Sequence, residues 1–210
     1  MPENDPIQAA ARADFCRFLA ACYYEPAPEF AQEKLFDSMA AAGELIGVEF
    51  DAGARRLGMA FAAEGMEGLL VDYTRLFLGP VDARANPYGS VWMGPDGLAM
   101  QDSTMDVVSL YEEGGFELSE DFRELPDHVA AELEFLYLLL FRENRALRDD
   151  DAAVSGIEAL KRRFLGEHLG RWIGPFCRAV AEGSSSDFYR ALAGLAQRFV
   201  HLETMRAGAS

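Results

Sequence analysis

Glu124 and His128 stand four residues apart, the spacing that puts a carboxylate and an imidazole on one helical face, where they could share a metal ion. Pro126 lies between them, however, and is expected to open a helix rather than sit inside one. The other histidines, His168 and His201, are distant in sequence, and no second carboxylate–histidine pair completes a site. Neither GxxxxGK[ST] nor GxGxxG occurs, so no loop is spaced to cradle phosphate. Ser90 lacks the flanking pattern of a nucleophile elbow, with Tyr88 and Trp92 where the two glycines would stand. Cys16, Cys22 and Cys177 are odd in number and have no CxxC spacing, as expected of buried, reduced thiols. The reading from these residues is no catalytic set, no metal and no cofactor.

Asp127 and His128 carry a different implication. Directly after Pro126 they are expected in the first turn of a helix, where a carboxylate satisfies free N–H groups and the helix dipole. Capping accounts for Asp127 but not for His128. Nearby in sequence are Tyr73, Leu76 and Phe77 at the end of one apolar stripe, with Tyr88 and Trp92 in a loop. An acidic run follows, comprising Glu112, Glu113, Glu117, Glu120, Asp121, Glu124 and Asp127, opposed only by Arg123. Two readings stand side by side. In one, Leu76 and Phe77 are core and the acids are a solvated rim. In the other, they build an apolar pocket with negative charge at its mouth, suited to a peptide.

The elements that must position these residues are helical. Asp5-Pro6 reads as an N-cap and first turn, followed by Ala11, Phe15, Phe18, Leu19 and Cys22 on one face. Pro26 and Pro28 break the chain before a stripe at Leu35, Phe36 and Met39. A weaker helix surrounds Leu57 and Phe61. A fourth carries Leu69, Leu70, Tyr73, Leu76 and Phe77 and ends at Gly79-Pro80. From Val81 to Asp102 turn signals replace any period: Asn86-Pro87, Gly89 and Gly94-Pro95-Asp96-Gly97. A loop of that length is often functional. Ser103 is expected to cap the next helix, which Gly114-Gly115 ends. Pro126 opens the most apolar helix, through Val129, Leu133, Leu136, Tyr137, Leu140 and Leu147. Its apolar face is wide enough to place it at the centre of a bundle. Helices over 154–164, 167–180 (broken near Gly174-Pro175) and 188–205 follow, the last behind a Ser184-Ser185-Ser186 cap. The expected fold is all-α: one bundle domain over residues 1–210, of roughly nine helices, with the long loop between the fourth and fifth.

Composition narrows the partners. Of the 210 residues, 50% are hydrophobic, enough for a sizeable core, while the formal net charge of −16 disfavours nucleic acid and suits a cationic partner. Solubility alone is the simpler explanation of that charge. The N-terminal Met1-Pro2-Glu3-Asn4-Asp5-Pro6 has neither a basic nor an apolar region, so no secretory signal is expected there. The run Leu133–Phe141 includes Glu134 and is far shorter than the ~20 residues that span a bilayer. A cytoplasmic protein without stable membrane insertion is expected.

At these residues the sequence resembles the TorD/DmsD/NarJ family of redox-enzyme maturation chaperones. The stretches are Tyr73-Thr-Arg-Leu76-Phe77-Leu-Gly79-Pro80, Asn86-Pro87-Tyr88-Gly-Ser90-Val-Trp92, Ser103-Thr104, Tyr111-Glu-Glu-Gly-Gly115-Phe116 and Glu124-Leu-Pro126-Asp127-His128 running into Glu132-Leu-Glu134-Phe135. Phe164-Leu-Gly-Glu-His168-Leu-Gly-Arg-Trp172 is a looser echo. The resemblance implies an all-helical chaperone with no catalysis of its own. Such a protein binds the twin-arginine signal peptide of a molybdenum-cofactor-containing oxidoreductase subunit and holds it until the cofactor is inserted. It implies a peptide-binding region at Tyr73, Leu76, Phe77, Pro87, Tyr88, Trp92, Glu124, Asp127 and His128. Two departures bear on the client: the acidic motif reads Glu-Leu-Pro-Asp-His, and Asn86 stands where a second proline is common in relatives. A helical metal-dependent hydrolase using Glu124, Asp127 and His128 is the alternative from another class, and a general basic-peptide adaptor is a third. A homodimer formed by exchanged helices is compatible with such a bundle.

Overall fold

The computed structural model describes residues 5–79, 83–94, 97–149 and 152–209. Pro80 and Val81, at the expected end of the fourth helix and start of the loop, the expected turn at Pro95-Asp96, and the N-terminal Met1 to Asn4 lie outside the described residues. Everything described is helix or connection, and the sole β feature among the described residues is an isolated bridge between Tyr88 and His128.

Helix α1 (Pro6–Ala21) begins as expected: Asp5 accepts the Ile7 N–H at 3.0 Å and Pro6 opens the first turn. A short α2 (Glu29–Gln32) leads to α3 (Leu35–Ile46). The two helices expected around Leu57 and Leu69 follow as α4 (Val48–Phe77), broken between them at Gly65, whose non-helical backbone has a φ of 73°, in the region that favours glycine. Among its described residues the connection after α4 carries little helix, as its turn signals imply: one five-residue stretch, α5 (Gly89–Met93).

Helix α6 (Asp102–Gly114) starts one residue before Ser103, which therefore caps nothing, and closes on Gly115 with φ 58°. Helix α7 begins at Val129, not Pro126, and runs to Arg148. Residues 125–128 form a turn instead, and the extended His128 serves as N-cap. Glu124 and His128 consequently share no helical face.

Helix α8 (Val154–Arg163) continues through a π-helical turn (Phe164–Leu169) into α9 (Gly170–Gly183). The expected break at Gly174-Pro175 does not occur; Pro175 sits within α9, and the irregularity lies one turn upstream. Gly170 suits that wider turn, since its N–H bonds the Leu165 carbonyl and a Cβ there would fall 2.2 Å from the same oxygen. Helix α10 (Asp187–Ala209) follows the serine cap: Ser186 Oγ accepts the Tyr189 N–H at 3.2 Å.

The packing explains why α7 is so apolar. It lies against α1 on one side and α8 on the other, while α10 packs on α9 and α4. Aromatic rings knit these layers. Phe15 meets Phe50 and Phe199, Phe36 meets Phe61 and Phe188, and Phe135 meets Tyr111 and Phe164. Buried ion pairs cross the core, among them Arg12–Glu203 at 2.7 Å between α1 and α10 and Lys161–Glu143 between α8 and α7. The three cysteines are buried and unpaired, as the sequence implied.

Candidate functional site

The loop carrying Pro87 and Tyr88 is fastened to the start of α7 by two backbone bonds. Gly89 N–H donates to the Asp127 carbonyl at 2.9 Å and Val129 N–H to the Pro87 carbonyl at 2.8 Å. Asp127, fully buried, turns its carboxylate away from α7: Oδ2 accepts the Ser90 N–H at 2.8 Å. The aspartate thus caps α5, correcting the expectation that it caps the central helix. His128 does that in its place, with Nδ1 accepting the Ala130 N–H at 3.2 Å. An accepting Nδ1 leaves the proton of the neutral ring on Nε2. Burial lowers the His128 pKa to about 4 against the opposing pull of Glu124 and Asp127, so the ring is neutral at physiological pH.

Three aromatic rings surround that imidazole: Tyr88 at 5.6 Å, Phe122 at 6.3 Å and Tyr24 at 6.5 Å between centroids. Carboxylates hold the phenols. Tyr88 Oη donates to Glu124, and Tyr24 Oη donates to Glu134 at 2.8 Å. Burial raises the Glu134 pKa, with the Tyr24 bond opposing it. Burial and then the charges of Glu124 and Glu25 push the Tyr73 phenol up to about 12. The mouth is therefore an aromatic collar edged by Glu25, Glu124 and Glu134, with all its phenols protonated.

The residues singled out in the sequence divide into two groups. Tyr88, Glu124, Asp127 and His128 come together at this mouth, and buried Pro87 fastens the loop through its carbonyl. Leu76 and Phe77 do not line it; both are buried, Phe77 among Tyr23, Tyr73, Phe176 and Tyr189. Tyr73, 7% exposed, bridges core and mouth. Half-buried Trp92 stands edge-on to Phe176 and donates Nε1–H to the Asn86 carbonyl at 2.8 Å, so it packs inward as a brace for the loop. Glu112, Glu113, Glu117, Glu120 and Asp121 are exposed and form the solvated rim of the simpler reading.

Beneath the collar lies a polar layer. Glu132, one turn into α7 and fully buried, accepts from Trp172 Nε1 at 3.1 Å and pairs with His168 Nδ1 at 3.1 Å. His168 Nε2 faces the Ser103 carbonyl at 2.9 Å. Burial alone would lower the His168 pKa, but Glu132 and the Ser103 carbonyl outweigh it and raise the value to about 9. Burial likewise raises the Glu132 pKa, with His168 and Trp172 offsetting part of the effect. Gly89 passes directly over this layer: a Cβ would fall 2.8 Å from Trp172 Nε1 and 3.1 Å from Glu132 Oε1. Five oxygens here, on Ser90, Ser103, Thr104, Asp127 and Glu132, are buried without a hydrogen-bond partner among the described residues.

The sequence carried Glu132, His168 and Trp172 as parts of the resemblance, with no role. One signal for Glu132 was available: it falls among apolar neighbours on a helix destined for the core, where an unpaired carboxylate is too costly to leave. Glu134, between Leu133 and Phe135, carried the same signal, while Tyr24 gave none. No group of three His, Cys, Asp or Glu among the described residues is placed to hold a metal. The three residues of the hydrolase alternative are each held in a structural bond, Glu124 by Tyr88, Asp127 by Ser90 and His128 by Ala130. No helix among the described residues is long and apolar enough to cross a membrane.

Residues 47–178 match the profile of the nitrate reductase delta subunit family. A chaperone protein TorD from Photobacterium profundum is 30% identical over 135 residues, 64% of this chain and 62% of that protein. A selenate reductase assembly chaperone protein from Thauera selenatis is 36% identical over 94 residues, 45% of this chain and 46% of its own length. The match thus spans less than two thirds of these relatives. A solved structure described as a redox enzyme maturation protein from Archaeoglobus fulgidus superposes with a TM-score of 0.56 at 22% identity, covering 90% of this chain and 93% of that one, a likeness of fold. The chain belongs to the nitrate reductase delta subunit family, the TorD/NarJ group of redox-enzyme maturation chaperones.

Proposed function

We propose that this protein is a cytoplasmic, non-catalytic chaperone that binds the twin-arginine signal peptide of a molybdenum-cofactor-containing oxidoreductase subunit and holds it during cofactor insertion and before export. The observation that carries the reading is the collar around His128: apolar aromatic walls with Glu25, Glu124 and Glu134 at the edge. A twin-arginine peptide presents two guanidinium groups followed by an apolar stretch. Guanidinium pairs with carboxylates and stacks on aromatic faces, while the apolar stretch needs a greasy groove. The net charge of −16 steers such a peptide toward the chain.

Titration calorimetry with a synthetic signal peptide tests this. Affinity should fall as salt rises and fall again when the arginine pair becomes a glutamine pair. An affinity indifferent to both changes would make the acids a solubility feature and remove the reading.

A further inference from the structure

The negative charge is unevenly distributed. Residues 151–210 hold eight Lys and Arg against six Asp and Glu, leaving eleven against twenty-nine in residues 1–150. Residues 151–210 are thus net positive at +2 while the rest is −18. Part of that positive charge borders a groove of about 420 Å³ between α9 and α10. Its floor is apolar, formed by Ile173 and Val200, with Gly174 and Gln197 along the sides and Arg198 and His201 at the rim. The helices run antiparallel here, with Thr204 Oγ1 3.3 Å from the Cβ position of Gly170 and Gln197 Nε2 3.7 Å from that of Gly174. Small residues on α9 keep the groove open, and it begins where the π-helical turn delivers Gly170, an irregularity frequent at functional sites.

Arg171 and Arg178 flank the same stretch of α9. Arg171, Arg178, Arg198 and His201 are all exposed, and none has a side-chain partner among the described residues. The acids of these elements do not neutralise them. Glu203 is buried against Arg12, Asp187 is taken by Arg190, and exposed Glu167 and Glu182 make no ion pair with the four.

We propose that the α9–α10 groove is a second docking surface, one that takes a short acidic, amphipathic segment of a partner protein. The apolar floor calls for one or two hydrophobic side chains, and the unpaired guanidinium groups of the rim call for carboxylates. Extended polyanions fit poorly, because nucleic acid or an anionic membrane would meet the −18 of the remaining chain. The surface is separate from the collar at His128: it uses the face of α9 away from Trp172 and Phe176, which point toward α5.

The test uses the full chain and a fluorescein-labelled fourteen-residue peptide with glutamate and leucine at helical spacing, read by anisotropy at low salt. Arg198→Glu with His201→Glu should weaken binding about ten-fold, and Arg198→Gln with His201→Gln should give a smaller loss. Both positions are exposed, and an unchanged melting temperature confirms the fold. The control is Arg55→Glu with Arg56→Glu on α4, a larger change in net charge away from the groove, which should alter binding less than two-fold. Twin-arginine peptide binding should be unaffected by the groove variants, so this proposal and the proposed function fail separately. The inference is overturned if the acidic peptide does not bind the unmodified chain, if the remote reversal weakens it as much as the local one, or if inorganic pyrophosphate displaces it at equal charge concentration.

Discussion

Asp127 and His128 are neighbours in the chain but cap different helices: the aspartate carboxylate takes the Ser90 N–H of α5, and the imidazole takes the Ala130 N–H of α7. One dipeptide therefore locks the loop to the central helix and sets the angle between them. Because Asp127 is fully buried, its first duty is to hold the loop, and a bound peptide feels its charge only through the loop it positions or once that loop lifts.

Variants at Asp127 separate these roles. Asp127→Ala removes the cap and leaves the Ser90 N–H unpaired, which should cost ~1–2 kcal/mol of stability and raise amide exchange across residues 86–93. Asp127→Asn retains an acceptor and should hold the melting temperature close to that of the parent. If the asparagine variant also weakens the twin-arginine peptide by roughly 1.5–3 kcal/mol, the carboxylate charge acts in binding. Equal peptide affinity in both would confine Asp127 to fastening the loop.

Gly89 tests how closely the loop rides over the buried pair. Gly89→Ala puts a methyl 2.8 Å from Trp172 Nε1 and must displace either α5 or the indole. A loss of ~1–3 kcal/mol is expected, with a shift in tryptophan emission as the Glu132 bond is disturbed. An unchanged spectrum at parental stability would place the loop further from Trp172.

The sequence was most legible where structure is local. Asp5-Pro6, Gly115 and Ser186 act within a turn of their own position, and each sits where its residue type puts it. The all-helical class and the apolar α7 followed from periodicity alone. Beyond the local misreadings at Ser103 and Gly174-Pro175, those that bear on the site fell where a distant partner decides. Asp127 looked like the cap of the helix after it because that helix is near in sequence; Ser90, which takes the carboxylate, is 37 residues away. Glu132 and His168 are 36 residues apart, and only folding brings α7 and the π-helical turn together. Phe77 fitted a groove and a core equally well by pattern, and its ring packs against Tyr23, Phe176 and Tyr189, none of them nearby in the chain.

Two buried histidines make stability depend on pH from opposite sides. His128 has its pKa lowered from 6.5 to about 4, so its contribution is complete above pH 6.5 and drains away as pH falls through 4. His168 has its pKa raised from 6.5 to about 9, so its contribution is complete below pH 6.5 and is lost as pH rises through 9. Glu132, pushed up by burial, opposes part of the acid-side loss. Stability from denaturant melts should peak near pH 6.5. His128→Asn keeps an N-cap acceptor but cannot titrate, so it should flatten the acid limb alone. Glu132→Gln should flatten the alkaline limb at a cost of ~3–5 kcal/mol for breaking a buried pair. A His128→Asn profile that still falls steeply between pH 6.5 and 4 would place the acid transition on other groups.

Tyr88 and Glu124 give the sharpest test of the collar, because the phenol and an incoming guanidinium compete for one carboxylate. Tyr88→Phe preserves the ring beside His128 and the backbone bridge but removes the Oη donor from Glu124. The carboxylate then has an acceptor position free, which should leave the fold within ~1 kcal/mol of parental stability, the usual net worth of one such bond. If arginine engages Glu124, the twin-arginine peptide should bind Tyr88→Phe as well as or better than the parent. Glu124→Gln should bind it roughly three- to ten-fold more weakly with a shallower salt dependence, since a charge-assisted bond is exchanged for a neutral one. The two substitutions act in opposite directions only when the guanidinium and the phenol share the carboxylate. Should both weaken binding equally, the Tyr88–Glu124 bond itself shapes the site, and the contact with arginine must move to Glu134 or Glu25.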